Sequence, residues 1–484
     1  MKLIKERLKS ILLVALVISS LALTQINLFD GLILSEGITE AVDVSSTKLS
    51  SYINPQSYFV SFGGLSYTRV YDFKMQDNIW GEIRPFILSC FLNYESVTEI
   101  EREEYVEAFS DRSLLVRMPL DLTISQYFSI FSDETIKQEI ESIYPREYLL
   151  REGNVRSLYV FDQVNDKYYL LKHKTVLHDI ASLIDIVKSE EWIDYRKISV
   201  RFSLESTVNE TYNRLNYELM PYAYDAIVAS IKYENEVSLD PERFSEEISN
   251  ISSAVFGNRM DFVKKLKDVN DSTILMYGYG DKSLTVTHEG NIAYRKKFDQ
   301  ANSEVVDFKG ALALATGKLE QFGLIPEGIY LASYSLNVAT RSYMFYFNYK
   351  LNSYAMAETS VNDHPISVEV KDNQVVSIDK DVKVFAGEII PPAYQVVERL
   401  LTAEDCIAKN DIEISIYYLQ DNNIPDKTMD TIEYYYPIRS AITSIELRYI
   451  VEAEQYMIPV WQIVLSGRVY LFNAYSGRLI QTYR

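Results

Sequence analysis

Residues 272–298 read STILMYGYGDKSLTVTHEGNIAYRKKF, and the reading of this stretch decides the fold class. Three short runs, STILMYGYG, KSLTVTHEG and NIAYRKKF, are parted by turn residues, first Gly278-Tyr279-Gly280-Asp281 and then Glu289-Gly290. Runs so close together leave room only for antiparallel hairpins. Just upstream, residues 241–256 (PERFSEEISNISSAVF) have helical spacing, with Pro241 near the first turn and Gly257 past the end. Those are the ends at which helix chemistry favours proline and glycine. Downstream, residues 308–323 (FKGALALATGKLEQFG) predict a helix, followed by strands over 329–337, 343–350, 366–370 and 373–384.

The pattern then repeats. From Pro391-Pro392, the segment AYQVVERLLTAEDC (393–406) predicts a helix, followed by strands in IEISIYYL, ITSIELRYIV, MIPVWQIVL and RVYLFNA. Helix and meander thus occur twice, at a spacing of roughly 85–95 residues, too few copies for a solenoid. Each unit would lay one amphipathic helix on one face of an antiparallel sheet. In the second unit Trp461 and Ile463 are two apart on one strand, so they share a face and should meet Tyr470 or Leu471 in the core.

Nearer the N-terminus, YFVSFGG from Tyr58, SLLVRM (113–118) and the hairpin SLYVFDQVNDKYYLLKH from Ser157 read as strands. Residues 134–143, TVLHDIASLIDIV from Thr175 and the mixture over 203–232 have helical spacing. The class is α+β, divided as residues 51–200, 201–385 and 386–484. Tyrosine outnumbers phenylalanine 38 to 21, as suits half-buried strand positions with a packed ring and a hydrated hydroxyl.

The first thirty residues address location. Lys2, Lys5, Arg7 and Lys9 precede an apolar run from Ile11 to Phe29. Nineteen helical residues rise roughly 29 Å, close to the hydrocarbon thickness of a bilayer. A single-pass anchor over 11–29 is expected, with residues 1–10 as a cytoplasmic tail because basic flanks stay inside. Residues 30–50 would form a stalk and the rest an extracellular body. The competing reading is a signal peptide cut near Ser20-Leu21-Ala22. Within the anchor, Ala15, Ser19 and Ala22 form one face of small residues, which would let another membrane helix approach closely.

The net charge is −20, and with the basic tail set aside the remainder carries about −23. A body so acidic argues against nucleic acid and against anionic lipid. Cys90 and Cys406 have neither a CxxC nor a zinc spacing. His173, His178, His288 and His364 lack the metalloprotease pattern, and GxSxG is absent. The glycine pair at 278–280 lacks the third glycine of a dinucleotide loop, and the charge run from Glu99 to Phe109 reads as a solvated helix face. No enzyme, cofactor, metal or small-molecule substrate is expected.

Four stretches resemble the YycH family, the membrane-anchored accessory regulators of the WalK/WalR two-component system of Gram-positive bacteria. They are RLKSILLVALVISSLALT at the N-terminus, residues 254–298, GALALATGKLEQFGLIPEGIYL (310–331) and IPVWQIVLSGRVYLFNAYSGRLI (458–480). The last is also similar to the closing hairpin of YycI proteins and, more loosely, to PepSY modules. One departure is Gly278, where the family pattern has an aspartate. The resemblance implies a regulator of cell-wall metabolism that contacts a WalK-like sensor histidine kinase and a YycI-like partner. Other readings are an exported protein that binds wall glycan, and a PepSY-type inhibitor of a lytic enzyme or protease.

Overall fold

A computed structural model describes residues 49–484 except 154–155, 176–178, 191, 203–215, 223–228, 239, 301–302, 323–324, 361–362, 390–398, 425–430 and 454–455. The expected anchor, with Ala15, Ser19 and Ala22, lies outside the described residues, as do the tail and most of the stalk. Among the described residues no helix is long and apolar enough to cross a membrane. Leu49 and Ser50, assigned to the stalk, are already buried in the folded body.

The first sheet has nine strands: β1 (Ser57–Gly63), β2 (Ser66–Arg69), β3 (Tyr94–Ile100), β4 (Arg112–Arg117), β5 (Pro145–Arg151), β6 (Ser157–Asp162), β7 (Lys167–His173), β8 (Tyr195–Lys197) and β9 (Leu219–Pro221). Their order is β3-β7-β6-β5-β4-β1-β2-β8-β9. The next strand, β10 (Ser230–Asn235), belongs elsewhere. A second sheet takes β11 (Lys264–Lys267), β12 (Thr273–Tyr277), β13 (Lys282–Val286), β14 (Ile292–Lys296), β15 (Tyr330–Asn337) and β16 (Ser342–Asn348). After the small ribbon β17 (Lys350–Leu351) and β18 (Tyr354–Ala355), it is completed by β19 (Ile366–Lys371) and β20 (Gln374–Lys380). The third sheet joins β10 and β21 (Lys383–Ile389) to the closing strands β22 (Ile442–Ala453), β23 (Tyr456–Leu465), β24 (Arg468–Asn473) and β25 (Leu479–Tyr483). The strand pairs are antiparallel, as the hairpin spacing predicts.

Residues 272–298 form β12, β13 and β14 in register. The first turn passes through left-handed backbone at Gly278, Tyr279 and Gly280, and Tyr279 projects fully into solvent. A Cβ at position 278 would lie 2.7 Å from a carboxylate oxygen of Asp281. A side chain here, where the family pattern has one, would have to displace the Asp281 carboxylate and adopt the positive φ that side chains rarely take. The helix Pro241–Phe256 is also as read: Asp240 caps its N-terminus and Gly257 stands past its end.

The first expected meander is present as β15-β16-β19-β20, and the second in part: β22, β23 and β24 are three of its four expected strands, and β25, outside the expected set, completes it in place of IEISIYYL. What precedes them differs. Helix Phe308–Gln321 leads the first, whereas helices Ala403–Lys409, Asp411–Asp421 and Thr431–Ser440 lead the second. The expected strand IEISIYYL lies in the middle one. Alternation would bury Ile412, Ile414 and Ile416 together, but the helix buries Ile414, Ser415 and Leu419 and leaves Ile412 and Ile416 outside. Arg439 and Arg468 tie its two ends at Asp411 and Asp421. Of the helix expected over 393–406, residues 393–398 lie outside the described residues, 399–402 are not helical, and a helix starts at Ala403, fixed by the reciprocal Thr402–Asp405 capping box.

Two further helical readings fail. Residues 134–143 are not helical: an irregular stretch leads into turns over 138–142, with Ile140 and Ile143 as buried anchors before Pro145 opens β5. Within 203–232 the described parts include β9 and β10. The charge run behaves as read: helix Arg102–Ser110 exposes Glu103, Glu104 and Glu107 and buries Tyr105, Ala108 and Phe109.

Trp461 and Ile463 point into the main core with Tyr470 and Phe472, while Leu471 packs on the opposite face with Ile450, Ile458 and Val460. The tyrosine reading needs correction. Tyr58, Tyr67, Tyr94, Tyr105, Tyr148 and Tyr195 are fully buried, and several buried hydroxyls find protein partners in place of water. Tyr71 and Tyr195 bond to each other at 2.7 Å, and Tyr449 donates to the carbonyl of Ala229. Strands β1 and β5, which carry Tyr58 and Tyr148, are buried on both faces, whereas Tyr105 lies on a helix.

Cys90 and Cys406 are free and buried, and burial pushes both thiols up to about 12. The folded full-length chain should leave a disulfide reagent such as DTNB uncoloured at pH 8, then release two equivalents of chromophore in denaturant. Rapid reaction of either thiol before unfolding would show that its packing is wrong.

Candidate functional site

The register of the first sheet lines up Ser57, Arg117, Glu147, Phe161 and Tyr168 in one row across β1, β4, β5, β6 and β7. Residues directly opposite in neighbouring strands share a face. At the centre of this row Arg117 donates from Nε to Glu147 at 2.9 Å and forks onto both oxygens of Glu218, at 3.2 and 2.8 Å. The second oxygen of Glu147 accepts from Tyr105 at 3.0 Å and Tyr217 at 2.7 Å. Burial opposes the charge on Arg117, but Glu218 and Glu147 outweigh it and hold the guanidinium cationic.

The third sheet supplies the facing surface. In β22 and β23, Glu446 lies opposite Gln462 and Ser444 opposite Val464. Glu446 is buried and accepts from Arg448 at 2.9 and 2.7 Å, from Arg69 at 3.1 Å and from Ser57 at 3.2 Å. Burial alone would raise this carboxyl. Arg69 and Arg448 overcome burial and hold it well below the usual carboxylate range. Gln56, just before β1, also donates to Glu446, so a residue at each end of the chain shares the charge. On the far side Arg448 reaches Glu358, which pairs with His364 at 3.3 Å.

Between these faces is a cleft of about 500 Å³, walled by Arg117, Glu147 and Tyr217 on one side and Ser444, Glu446 and Gln462 on the other. Phe161 and Tyr168, stacked with ring centroids 4.7 Å apart, form part of its lining. Glu147, Glu218 and Glu446 are each engaged by an arginine, an arrangement that fastens two sheets and presents a polar surface.

Among the described residues no group of three or more His, Cys, Asp or Glu side chains is placed to hold a metal. His173 is buried between Ser89 and Thr175, and His288 is exposed beside Glu289. His178 lies outside the described residues. The sequence singled out none of the seam residues, although one signal was there to read. In ITSIELRYIV two opposite charges, Glu446 and Arg448, stand two apart in an otherwise apolar strand whose other face buries Ile445, Leu447 and Tyr449. Charges on one face of a run this apolar cannot sit there alone and imply partners from elsewhere.

Fold and seam together define a mixed α/β protein of antiparallel sheets, with helices packed on them and a charged cleft where two sheets meet. Among solved structures it is similar to YycH from Bacillus subtilis, with a TM-score of 0.50 and 12% identity, over 88% of this chain and 96% of that one. The fold is therefore YycH-like. A weaker likeness, with a TM-score of 0.33 and 10% identity, is to an uncharacterized protein from Eubacterium rectale, over 57% of this chain and 92% of that one. No protein-family model and no curated protein matches the sequence.

Replacing Glu446 by Gln leaves Arg69 and Arg448 facing each other in a buried site, which should cost about 3–5 kcal/mol of stability. Thermal and urea unfolding of the full chain at pH 7 would measure it. The sign with pH follows from the depressed carboxyl. Its contribution is present above the unfolded glutamate value and is lost as pH falls below it. Acidification from pH 6 to pH 3 should therefore destabilise Glu446→Gln less than the parent. Equal losses in both proteins would remove Glu446 from the acid response.

Proposed function

We propose that the chain is a non-catalytic, membrane-anchored regulator of a WalK-like sensor histidine kinase, acting with a YycI-like partner from the extracellular side of the membrane. The observation that carries this reading is the YycH-like fold over 88% of the chain. The N-terminal sequence supports it independently. A basic tail and one apolar run of nineteen residues leave a large acidic body that can reach the cell interior only through another membrane protein. Information would pass through helix contacts in the bilayer and through contacts of the outer body. The reading involves no cofactor, metal or nucleic acid.

The test is recovery of the kinase with the tagged full-length chain from solubilised membranes. A WalK-like kinase and a YycI-like protein should co-purify, and the chain should clear no zone in a peptidoglycan zymogram. Clearing that one carboxylate-to-amide change abolishes would replace the regulator with a hydrolase. For the anchor, Ser19→Leu should weaken kinase recovery while Leu16→Ala, off the small-residue face, changes little. Equal recovery by both, at equal membrane levels, would move the contact outside the bilayer.

A further inference from the structure

Two side chains in the cleft have bonding capacity that the protein leaves unused. Pro145 pairs with Asp162 and Glu147 with Phe161, so Arg146 is the extra residue of a bulge between β5 and β6. Bulges re-aim the side chain they carry, and Arg146 lines the cleft beside Arg117 and Glu147. Its carbonyl still accepts from Met118, but its guanidinium makes no hydrogen bond or ion pair among the described residues. Gln462 faces the same cleft from β23. It is only 7% exposed, and its amide oxygen lacks a partner.

Charge decides what could use them. Arg117 is committed to Glu147 and Glu218, and Arg69 and Arg448 to Glu446. Arg146 remains as a cation without a carboxylate in contact; Arg102 lines the cleft as well, so three arginines stand with four carboxylates, Glu147, Asp166, Glu218 and Glu446, and the walls keep a net negative charge. Such a site accepts one negative charge and repels two. Arginine matches the planar, two-oxygen geometry of a carboxylate, and a primary amide can bond to either end of a peptide or hydroxylated body.

We infer that the cleft binds a ligand bearing a single carboxylate, held by the Arg146 guanidinium and the Gln462 amide, with the ligand body against the Phe161–Tyr168 stack. Burial lowers the Arg146 pKa from the usual arginine value and Arg117 adds to this, while Asp121, Glu147 and Glu446 offset only part of it, so an anion at the guanidinium would complete a compensation the protein leaves partial. The sequence predicted no small-molecule substrate, because neither residue belongs to a motif. The inference does not rest on the regulator reading: a chain that recovers no kinase can still bind the probe, and a kinase partner can be recovered without it.

The test is ligand-observed NMR titration of the full-length chain in detergent at pH 8. The probes are N-acetyl-alanyl-alanine, its C-terminal amide, glucuronate and phenyl phosphate. At least one of the two carboxylates should bind in the millimolar range, with the amide at least tenfold weaker and phenyl phosphate failing to compete. Binding of the peptide acid alone would assign a peptide end, and of glucuronate alone a sugar acid. Arg146→Gln should weaken the bound carboxylate at least tenfold with an unchanged melting temperature, and Arg146→Lys should restore part of the loss. Should Arg146→Gln fail to fold, Ser444→Asp, which adds a negative charge to the opposite wall, should expel the probe. The inference is overturned if neither carboxylate binds, if the amide binds equally, if phenyl phosphate displaces the probe, or if folded Arg146→Gln or Ser444→Asp binds as the parent does.

Discussion

Glu446 holds two arginines in a place where little water reaches the charge. Arg69 reaches it from the first sheet, Arg448 from its own strand, and Ser57 and Gln56 complete its hydrogen bonds. An ion taken from water costs several kcal/mol unless partners replace the hydration, so the arrangement tolerates little error in how the sheets meet. A shift of β22 by one residue would turn Glu446 and Arg448 to the other face, into the apolar layer of Ile445, Leu447 and Tyr449. The apolar core favours any compact association of these surfaces, and the charges favour one register of it. Arg117, Glu147 and Glu218 repeat the device within the first sheet, where Tyr105 and Tyr217 satisfy the remaining lone pairs.

The cleft follows from the same constraint. Sheets fastened through buried ions keep apolar side chains away from the line of contact, and part of that line stays open. The bulge at Arg146 and the amide of Gln462 lie on this border, where neither sheet supplies enough partners.

Local physics made much of the fold legible. The strands around Gly278 and Glu289-Gly290, the hairpin through Asp166 and the helix between Asp240 and Gly257 are each specified by turn or cap residues within a few positions. Two kinds of feature were not legible. IEISIYYL alternates like a strand, yet forms a helix that buries Ile414, Ser415 and Leu419 against the rest of the protein, with Arg439 and Arg468, from elsewhere in the sequence, tied to Asp411 and Asp421 at its ends. The seam was missed because its members, Arg69, Arg117, Glu147, Glu218, Glu446 and Arg448, are ordinary charged residues in five separate segments. No spacing within any one segment records that Arg69 meets Glu446. The tyrosines were misread for a related reason: alternation reports a strand but does not say that its second face is covered as well.

The strand Ser230–Asn235 pairs with Lys383–Ile389 and with the start of Tyr456–Leu465, and Arg69 finds its carboxylate 377 positions later. The early half of the chain therefore cannot reach its final state while synthesis is under way. Contacts this distant in sequence close slowly, and until they close the unpaired strand and the uncompensated arginines are exposed to misassociation. The first sheet can close by Pro221, but Arg69 gains its carboxylate and β10 its second neighbour only from β22 and β23, so removing those strands would be felt as far away as Arg69.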